Sequence, residues 1–461
     1  MTKASWLAGL ILAVALSGAT GPVHAQDLLE TWQLALQRDP LYAASGAGRN
    51  ADQELVPQAK AQLLPYVSLN AIGQQREARR LRQLDQRVGQ GRAAWALSLI
   101  QPVVDITAWG QLQRAQYIAS AADVAHAQSR QDLILRVAQA YFDVLAAQDA
   151  LRVLQAQKSA IETQLEAARM GFELGSTTVT DTYEAQARLD LLNANDLAAR
   201  NALQVSLDRL AKIINQRPAK LAELAPGTKL PGPQPNRLDD WTAQSSRAHL
   251  AVAQAALNAS IFEKQIDIAK SERYPKLQLQ AQTGSGSDQT LYGMRSGPKS
   301  LDTSIGLQLS VPLYTGGEIS SLVREQTSRL QEARYQLEAS KRDAVQATQQ
   351  YFSGVTSGLA QIEVLQRAER SSLAALQANR TAYEVGVRIN IDVLNAQQQL
   401  YETQRSLLQA RYDTLMNSLR LKASSGILTE LDIAAVNELL SDGPDTTPAV
   451  RRPVPASRSA R

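Results

Sequence analysis

The pattern Gly-x5-Asp occurs twice in this chain, as Gly175-Ser-Thr-Thr-Val-Thr-Asp181 and as Gly386-Val-Arg-Ile-Asn-Ile-Asp392. Each copy follows one long helical run and precedes another. Ala185, Gln186 and Leu189 continue the first copy as Ala396, Gln397 and Leu400 continue the second. A glycine that closes an apolar-periodic run is a helix stop, because it enters the left-handed conformation without a Cβ penalty. A Thr or Asn just beyond it, among Thr177 to Thr180 or at Asn390, can cap the next helix. Each copy therefore predicts the tip of a helical hairpin.

The tips belong to a larger duplication. Pro65 plus 210 is Pro275, and Val67, Leu69 and Ala71 return as Leu277, Leu279 and Ala281. Pro102 returns as Pro312, Tyr141-Phe142 as Tyr351-Phe352, and Gly175 as Gly386 at an offset of 211. Landmarks this far apart sharing one offset mark an internal repeat. The first repeat spans 26–239 and the second 240–442.

Within the first repeat, residues 26 to 61 are helical, apolar at Leu28, Trp32 and Ala35, and interrupted by Pro40. Alternating apolar and polar residues then predict strands at about 65–73 and 94–103, joined by a polar loop with six arginines from Arg76 to Arg92. The second repeat predicts strands at about 275–284 and 302–313. From Gly110 to Gly171 neither proline nor glycine intervenes, and Leu133, Val137, Ala140, Val144, Ala147, Leu151 and Leu154 keep a coiled-coil rhythm. A helix of ~65 residues is ~100 Å long. The partner seam runs Ala185, Leu189, Leu192, Ala199, Leu203, Leu210 and Ile213, with polar Asp196 and Ser206 interleaved. The second half has a looser helical seam, with Gly354 and Gly358 inside its long helix. Five prolines between 216 and 239 predict a linker, and the Pro-, Ser- and Arg-rich tail over 443–461 predicts disorder.

Composition narrows the function. Lys3, the apolar stretch Leu7 to Leu16 and Val23-His-Ala25 read as a secretory signal over 1–25. No later run approaches the ~20 apolar residues of a spanning helix. The chain has no cysteine, which removes disulfides, thiolate metal sites and an acylated N-terminal Cys. Net charge is +4, and subtracting Lys3 leaves +3 for the exported chain, without the basic stripe of a nucleic-acid binder. Enzymatic readings find little support. His126 and His249 stand in no ligand spacing, no GxxxxGK[ST] occurs, and Gly284-Ser-Gly286 does not complete a dinucleotide fingerprint. No cofactor, metal or catalytic residue is expected.

Each repeat thus supplies two strands and a hairpin of long helices. Four strands with an apolar face cannot close a membrane barrel, since the smallest need about eight. Open edges in lipid would leave backbone groups unpaired. Oligomerisation closes such a sheet; the alternative is a soluble periplasmic coiled-coil scaffold with two small hairpins.

Pro312-Leu-Tyr-Thr-Gly316-Gly317, the paired strands, Tyr383-Glu-Val-Gly-Val-Arg388 and Ile391-Asp392-Val393-Leu394 resemble the TolC family of outer-membrane efflux and secretion channels, in its unacylated branch. The resemblance covers roughly residues 26 to 440. It implies a mainly α fold with a small membrane β part, in a homotrimer with a twelve-stranded β-barrel and a twelve-helix periplasmic tunnel. It also implies an outer-membrane exit duct working with a periplasmic adaptor (a membrane fusion protein) and an inner-membrane transporter of RND, MFS or ABC type.

The resemblance further implies site residues. Tyr383 and Arg388 would belong to a gate at the helical tips, facing Thr180 and Asp181 of the other tip. Arg388 and Asp181 are also readable as solvated turn residues. Asp392 would ring the pore and select cations, although it equally suits a helix N-terminus. One turn on, Asn395 stands where the family has a second aspartate, which predicts weaker cation block. Met170 replaces a polar family residue, which predicts a thinner gate network. Leu174, Gly175, Ser176, Val385, Gly386 and Val387 would dock the adaptor, and they are also plain helix caps. The arginine-rich loop would face outward, near lipid phosphates or solvated.

Overall fold

The computed structural model describes residues 25–79, 87–218, 220–225, 227–286 and 301–441. The leader expected over 1–25 falls outside them except for Ala25, as does the tail expected over 443–461. Three short helices come first: α1 (Leu28–Arg38), α2 (Pro40–Gln53) and α3 (Leu55–Ala61). The helical run is interrupted at Pro40 as expected: Asp39 is extended, and Pro40 opens α2, where its missing N–H costs nothing. Asp39 caps the helix by accepting from the Tyr42 amide at 2.8 Å.

Strands β1 (Tyr66–Arg79) and β2 (Arg87–Val104) precede α4 (Ile106–Glu173), whose 68 residues make it ~100 Å long. It turns at the first tip into α5 (Val179–Ile214). β3 (Glu223–Leu224) lies in the linker, and α6 (Leu238–Ala248), α7 (Leu250–Ser271), β4 (Lys276–Gly286), β5 (Leu301–Ser310), α8 (Glu318–Glu384), α9 (Asn390–Ser424), α10 (Glu430–Asn437) and β6 (Leu440–Ser441) follow. None of the described helices is long and apolar enough to cross a membrane.

β1, β2, β4 and β5 form one antiparallel sheet in that order, so the two repeats meet at the β2–β4 pair. The register puts Val67 opposite Leu99, Leu99 opposite Ala281 and Ala281 opposite Ile305. Leu69, Leu97, Leu279 and Leu307 lie on the same face, because side chains alternate along a strand. Ile305, Leu307 and Leu309 are each more than 60% exposed. The other face carries Ser68, Asn70, Gln280, Gln282 and Ser304, with Ser68 Oγ 2.8 Å from Ser98 Oγ. One face is greasy and the other wet. β1 and β5 are the edges.

The first hairpin departs from expectation. β1 and β2 pair residue for residue up to Arg79 opposite Arg87, well beyond 65–73 and 94–103. Arg76, Arg79, Arg87 and Arg92 therefore lie in strands rather than a loop, while Arg80 and Arg82 fall outside the described residues. Ladder bonds are made by the backbone, so pairing continues after the apolar alternation stops.

The linker at 216–239 also holds more structure than its prolines suggest. β3 pairs with β6, Gln26 bridges to Leu221, and α6 already begins at Leu238. Beside them lies the largest core, where Trp32, Tyr141, Phe142, Leu210, Tyr412 and Leu415 are buried together. Tyr141 donates to the Ala222 carbonyl at 2.8 Å, tying α4 to the linker. Tyr412 of α9 donates to Asp149 of α4 at 2.6 Å. Burial raises the Asp149 carboxyl above its ordinary range, against the bond from Tyr412 and the charge of Arg152.

The expected seams form. Leu133, Val137, Ala140, Val144, Ile161, Leu165 and Ala168 of α4 are buried, as are Ala185, Leu192 and Leu210 of α5. Asp196 and Ser206 are buried too; Asp196 Oδ2 accepts from Arg200 at 2.8 Å while its Oδ1 has no hydrogen-bond partner, and Ser206 donates to the Leu203 carbonyl at 2.8 Å. Gly354 and Gly358 do not loosen α8; they let it approach α9. A Cβ at Gly354 would stand 2.9 Å from Asn417 Nδ2, and one at Gly358 would overlap Thr414 Oγ1. Gly110 likewise lies inside α4, where a Cβ would meet Ile268 of α7 at 2.8 Å.

Candidate functional site at the helical tips

Both tips close with the same backbone geometry. At the first, Gly175 takes φ +69°, its amide donates to the Phe172 carbonyl at 3.0 Å and that of Ser176 to Gly171 at 2.8 Å. At the second, Gly386 takes φ +76°, its amide donates to Tyr383 at 3.0 Å and that of Val387 to Ala382 at 2.8 Å. These are the two bonds of a Schellman motif, which needs a left-handed residue at the glycine position. The turns project Leu174, Val385, Val387 and Ile389 into solvent; Leu174 is 84% and Val387 75% exposed.

Beyond the glycines the copies diverge. An offset of 211 aligns Thr178-Val179-Thr180-Asp181 with Ile389-Asn390-Ile391-Asp392. At the first tip Thr178 is the cap. Its hydroxyl accepts from the Asp181 amide, and the Asp181 carboxylate accepts from the Thr178 amide at 3.0 Å and hydroxyl at 2.8 Å. That is a capping box, and it occupies Asp181 within its own helix. At the second tip Ile389 holds the cap position and has no side-chain oxygen to offer, and Asn390 is the first helical residue rather than a cap. Asp392 is left to accept from Arg388 Nη1 at 3.3 Å, four residues back.

Of the four gate candidates, Tyr383 and Asp181 come near each other, while Thr180 is exposed on its own turn. The Tyr383 ring packs on Leu376, Val393 and Leu400. Burial raises its phenol above the usual range, and the Asp181 carboxylate adds to the rise. Arg388 faces neither Thr180 nor Asp181 within this chain; it pairs with Asp392, with both side chains partly exposed. A pair this exposed is weak. The carboxylate expected to ring a pore is thus partly balanced by its own neighbour. Asn395 accepts from Arg188 Nη2 of α5 at 3.2 Å, so a guanidinium lies beside this amide. Met170 is exposed on α4.

Sequence reasoning missed the roles of three residues here, reading Asn390 only as a cap. Asn390 is fully buried: its Oδ1 accepts from Gln164 Nε2 at 2.7 Å and its Nδ2 donates to the Asp181 carbonyl at 3.4 Å. Gln164 and Arg188 are the other two. The available signal was the polar Asn390 aligned with apolar Val179. The two histidines are structural, since His126 stacks on Tyr42 at 4.9 Å and His249 caps α7 by accepting from the Ala251 amide. Among the described residues no group of acidic or histidine side chains could hold a metal ion.

Known proteins share both the duplication and the fold. The family model "Outer membrane efflux protein" matches residues 31–216 and again 242–427, once per repeat. Over 430 residues the chain is 31% identical to the outer membrane protein TolC of Vibrio cholerae, covering 93% of this chain and 97% of that one. It is 30% identical over 465 residues to the alkaline protease secretion protein AprF of Pseudomonas aeruginosa, covering 97% and 93%. Among solved structures, the outer membrane protein VceC of Vibrio cholerae superposes with a TM-score of 0.73 at 20% identity, over 87% of this chain and 96% of that one. CusC superposes at 0.76 and 15% identity, over 87% and 92%. With both repeats matched in order along nearly the whole described chain, this protein belongs to the outer membrane efflux protein family.

Proposed function

We propose that this protein is an outer-membrane exit duct that passes substrates from an inner-membrane transporter and a periplasmic adaptor across periplasm and outer membrane. One observation carries the reading: a four-stranded sheet with one apolar face and two unpaired edges, on helical hairpins ~100 Å long. Three copies side by side pair β1 of one with β5 of the next, making twelve strands whose apolar faces meet lipid. The six hairpins of such a homotrimer form a twelve-helix tunnel. The family relationship supports the same reading, with relatives named for efflux and for protease secretion.

In this duct the exposed apolar caps, Leu174 to Ser176 and Val385 to Val387, dock the adaptor. Tyr383, Arg388, Thr180 and Asp181 form the gate, and Asp392 with Asn395 lines the entrance. A gate must be weakly held, because partners open it only through their differential affinity for the open state. The exposed Arg388–Asp392 pair suits that requirement. The transporter is of RND, MFS or ABC type and supplies the energy.

Cell fractionation tests the reading. A heat-resistant trimer in the outer membrane is the expected result, and a soluble periplasmic monomer refutes it. Deleting the gene and measuring drug sensitivity beside secreted-protein levels then separates efflux from type I secretion.

A further inference from the structure

We propose that α5 of one copy and α8 of the next pack side by side between protomers, bulky side chains of α5 lying on small ones of α8, in a register that keeps the tips level. The proposal rests on reading the protein as a ring of copies.

Within one chain the long helices form a row. α4 packs on α5 and on α9, and α9 packs on α8, so α5 and α8 are the outer members. Exposed large apolar residues follow that order. α9 has none, and those of α4 are confined to its first and last turns, at Ile106, Trp109, Met170 and Phe172. The outer helices expose them along their length, as at Tyr183, Leu191, Leu197 and Val205 of α5 and at Tyr335 and Val364 of α8.

The α5 residues share one side. Each stands two positions from a residue of the α4 seam: Tyr183 from Ala185, Leu191 from Leu189, Leu197 from Ala199 and Val205 from Leu203. Two positions turn an α-helix by ~200°, so the four form a stripe on the side away from α4. Leu197 is 71% and Tyr183 69% exposed. α8 carries a counterpart. Its Ile362 is buried against Leu407 of α9, and its Leu376 against Val393 and Leu400. Two positions to either side of these stand Ala360 and Val364, and Ala374 and Ala378, all exposed. One outer face is bulky and the other is small, which is the match that lets facing helix surfaces interdigitate.

The two stripes also agree in level. α5 leads away from its tip and α8 leads toward its own. Tyr183 and Ala378 each stand eight residues from their tip glycines, Gly175 and Gly386, and Leu197 and Val364 each stand 22. Level tips therefore bring bulky and small residues together along the whole stripe. The sheet asks for the same neighbours. β1 and α5 belong to the first repeat and β5 and α8 to the second, so copies that pair β5 with β1 also bring α8 to α5. The two faces differ, so the contact is head-to-tail and repeats round a closed ring.

The chain has no cysteine, so introduced pairs report alone. The test pairs Leu197→Cys with Val364→Cys in the full-length protein, treats membranes with a short bismaleimide and runs boiled samples on a denaturing gel. Covalent dimers and trimers are expected, while each single-cysteine variant stays monomeric. Two helices separate these positions within one copy, so a link between them joins different copies. Both side chains are exposed in the protomer, so the substitutions leave its fold intact. Pairing Leu197→Cys with Ala378→Cys shifts the partner by 14 residues, ~21 Å along α8, and should leave monomers. Without any reagent, Leu197→Asp should lower the temperature at which the trimer dissociates by several degrees. Monomers alone from the Leu197→Cys, Val364→Cys pair, in a sample whose unheated gel shows the trimer, overturn the seam and leave the duct reading standing, and so does an unchanged dissociation temperature in Leu197→Asp. Equal cross-linking of the shifted pair overturns the register. A wild-type protein that forms no trimer overturns the ring itself, and the seam with it.

Discussion

Substituting Gly358 by alanine sets two effects of known size against each other. In an ordinary helix interior the change is favourable by ~1 kcal/mol, since glycine has the greater backbone freedom to lose. Here the new Cβ would overlap Thr414 Oγ1 and press on Thr414 Cβ at 3.3 Å. Thr414 has little room to retreat: it is 2% exposed, and its hydroxyl donates to the Ala410 carbonyl at 2.7 Å. Overpacking a site like this costs ~1–3 kcal/mol, and a blocked retreat belongs to the upper half of that range. Setting the propensity gain against it leaves Gly358→Ala destabilised by about 1–2 kcal/mol. Thr414→Ala alone should cost roughly 1 kcal/mol for the lost hydroxyl bond. It also removes the atom that the new Cβ meets, so the double variant should be no less stable than Thr414→Ala. The coupling between the two sites should therefore reach about 1–2 kcal/mol. Urea unfolding of the solubilised protein, followed by its helical circular dichroism, measures all four species. A Gly358→Ala protein as stable as wild type, or a double variant in which the losses simply add, refutes the close approach of α8 to α9.

The sheet should discriminate between its faces. Leu307→Lys puts a charge on the apolar face, costing ~2–4 kcal/mol at the bilayer midplane, and should lower the outer-membrane yield of trimer. The neighbouring Gln308→Lys, on the wet face, should not; equal loss from both refutes the assignment of faces. At the second tip, Arg388→Ala should strengthen conductance block by a trivalent cation, because it frees Asp392. Asp392→Ala should weaken it, and equal block in wild type and both variants removes Asp392 from the pore. Acid should act through Asp39. Burial pushes this carboxyl up, but the Arg136 fork and the Tyr42 amide outweigh it and hold it below its ordinary value of 3.8. A carboxyl depressed on folding lends stability that is complete above its ordinary value and is lost as pH falls through the folded one. Asp39→Asn should therefore destabilise the protein at pH 7 and flatten the decline below pH 3.8; an unchanged acid limb refutes this.

Legibility followed the range of the interaction. The offset of 210 placed both strand pairs and one of 211 both tips, because strands, caps and seams are written in local periodicity. Pairings between distant segments left less trace. Two-residue strands such as Glu223–Leu224 carry no alternation to detect, so the linker looked bare. β1 outran its apolar stretch because ladder bonds are made by the backbone and need no apolar alternation. Gly354 and Gly358 were visible, but only the position of Asn417 and Thr414 on α9 shows that they serve contact. At the tips the same limit applies to individual side chains. Arg388, Asp392 and Asp181 were identifiable by motif, whereas the partner of each depended on whether a cap position held Thr178 or Ile389. Asn390 looked like a cap, and only its burial against Gln164 shows otherwise.

The small ladder at the linker also bears on how the chain is threaded. Gln26 bonds to Lys220 and bridges to Leu221, and Leu440–Ser441 pairs with Glu223–Leu224. Asn437 closes the same junction by donating to Asp27 at 2.8 Å and accepting from the Leu28 amide at 3.0 Å. The start of one repeat, the end of the other and the segment that joins them thus share one locus, away from both the sheet and the tips. Topologically the two repeats form a ring that the polypeptide happens to enter at this junction. Which repeat is translated first is then immaterial to the finished architecture, and a circularly permuted order would preserve every ladder and every seam described.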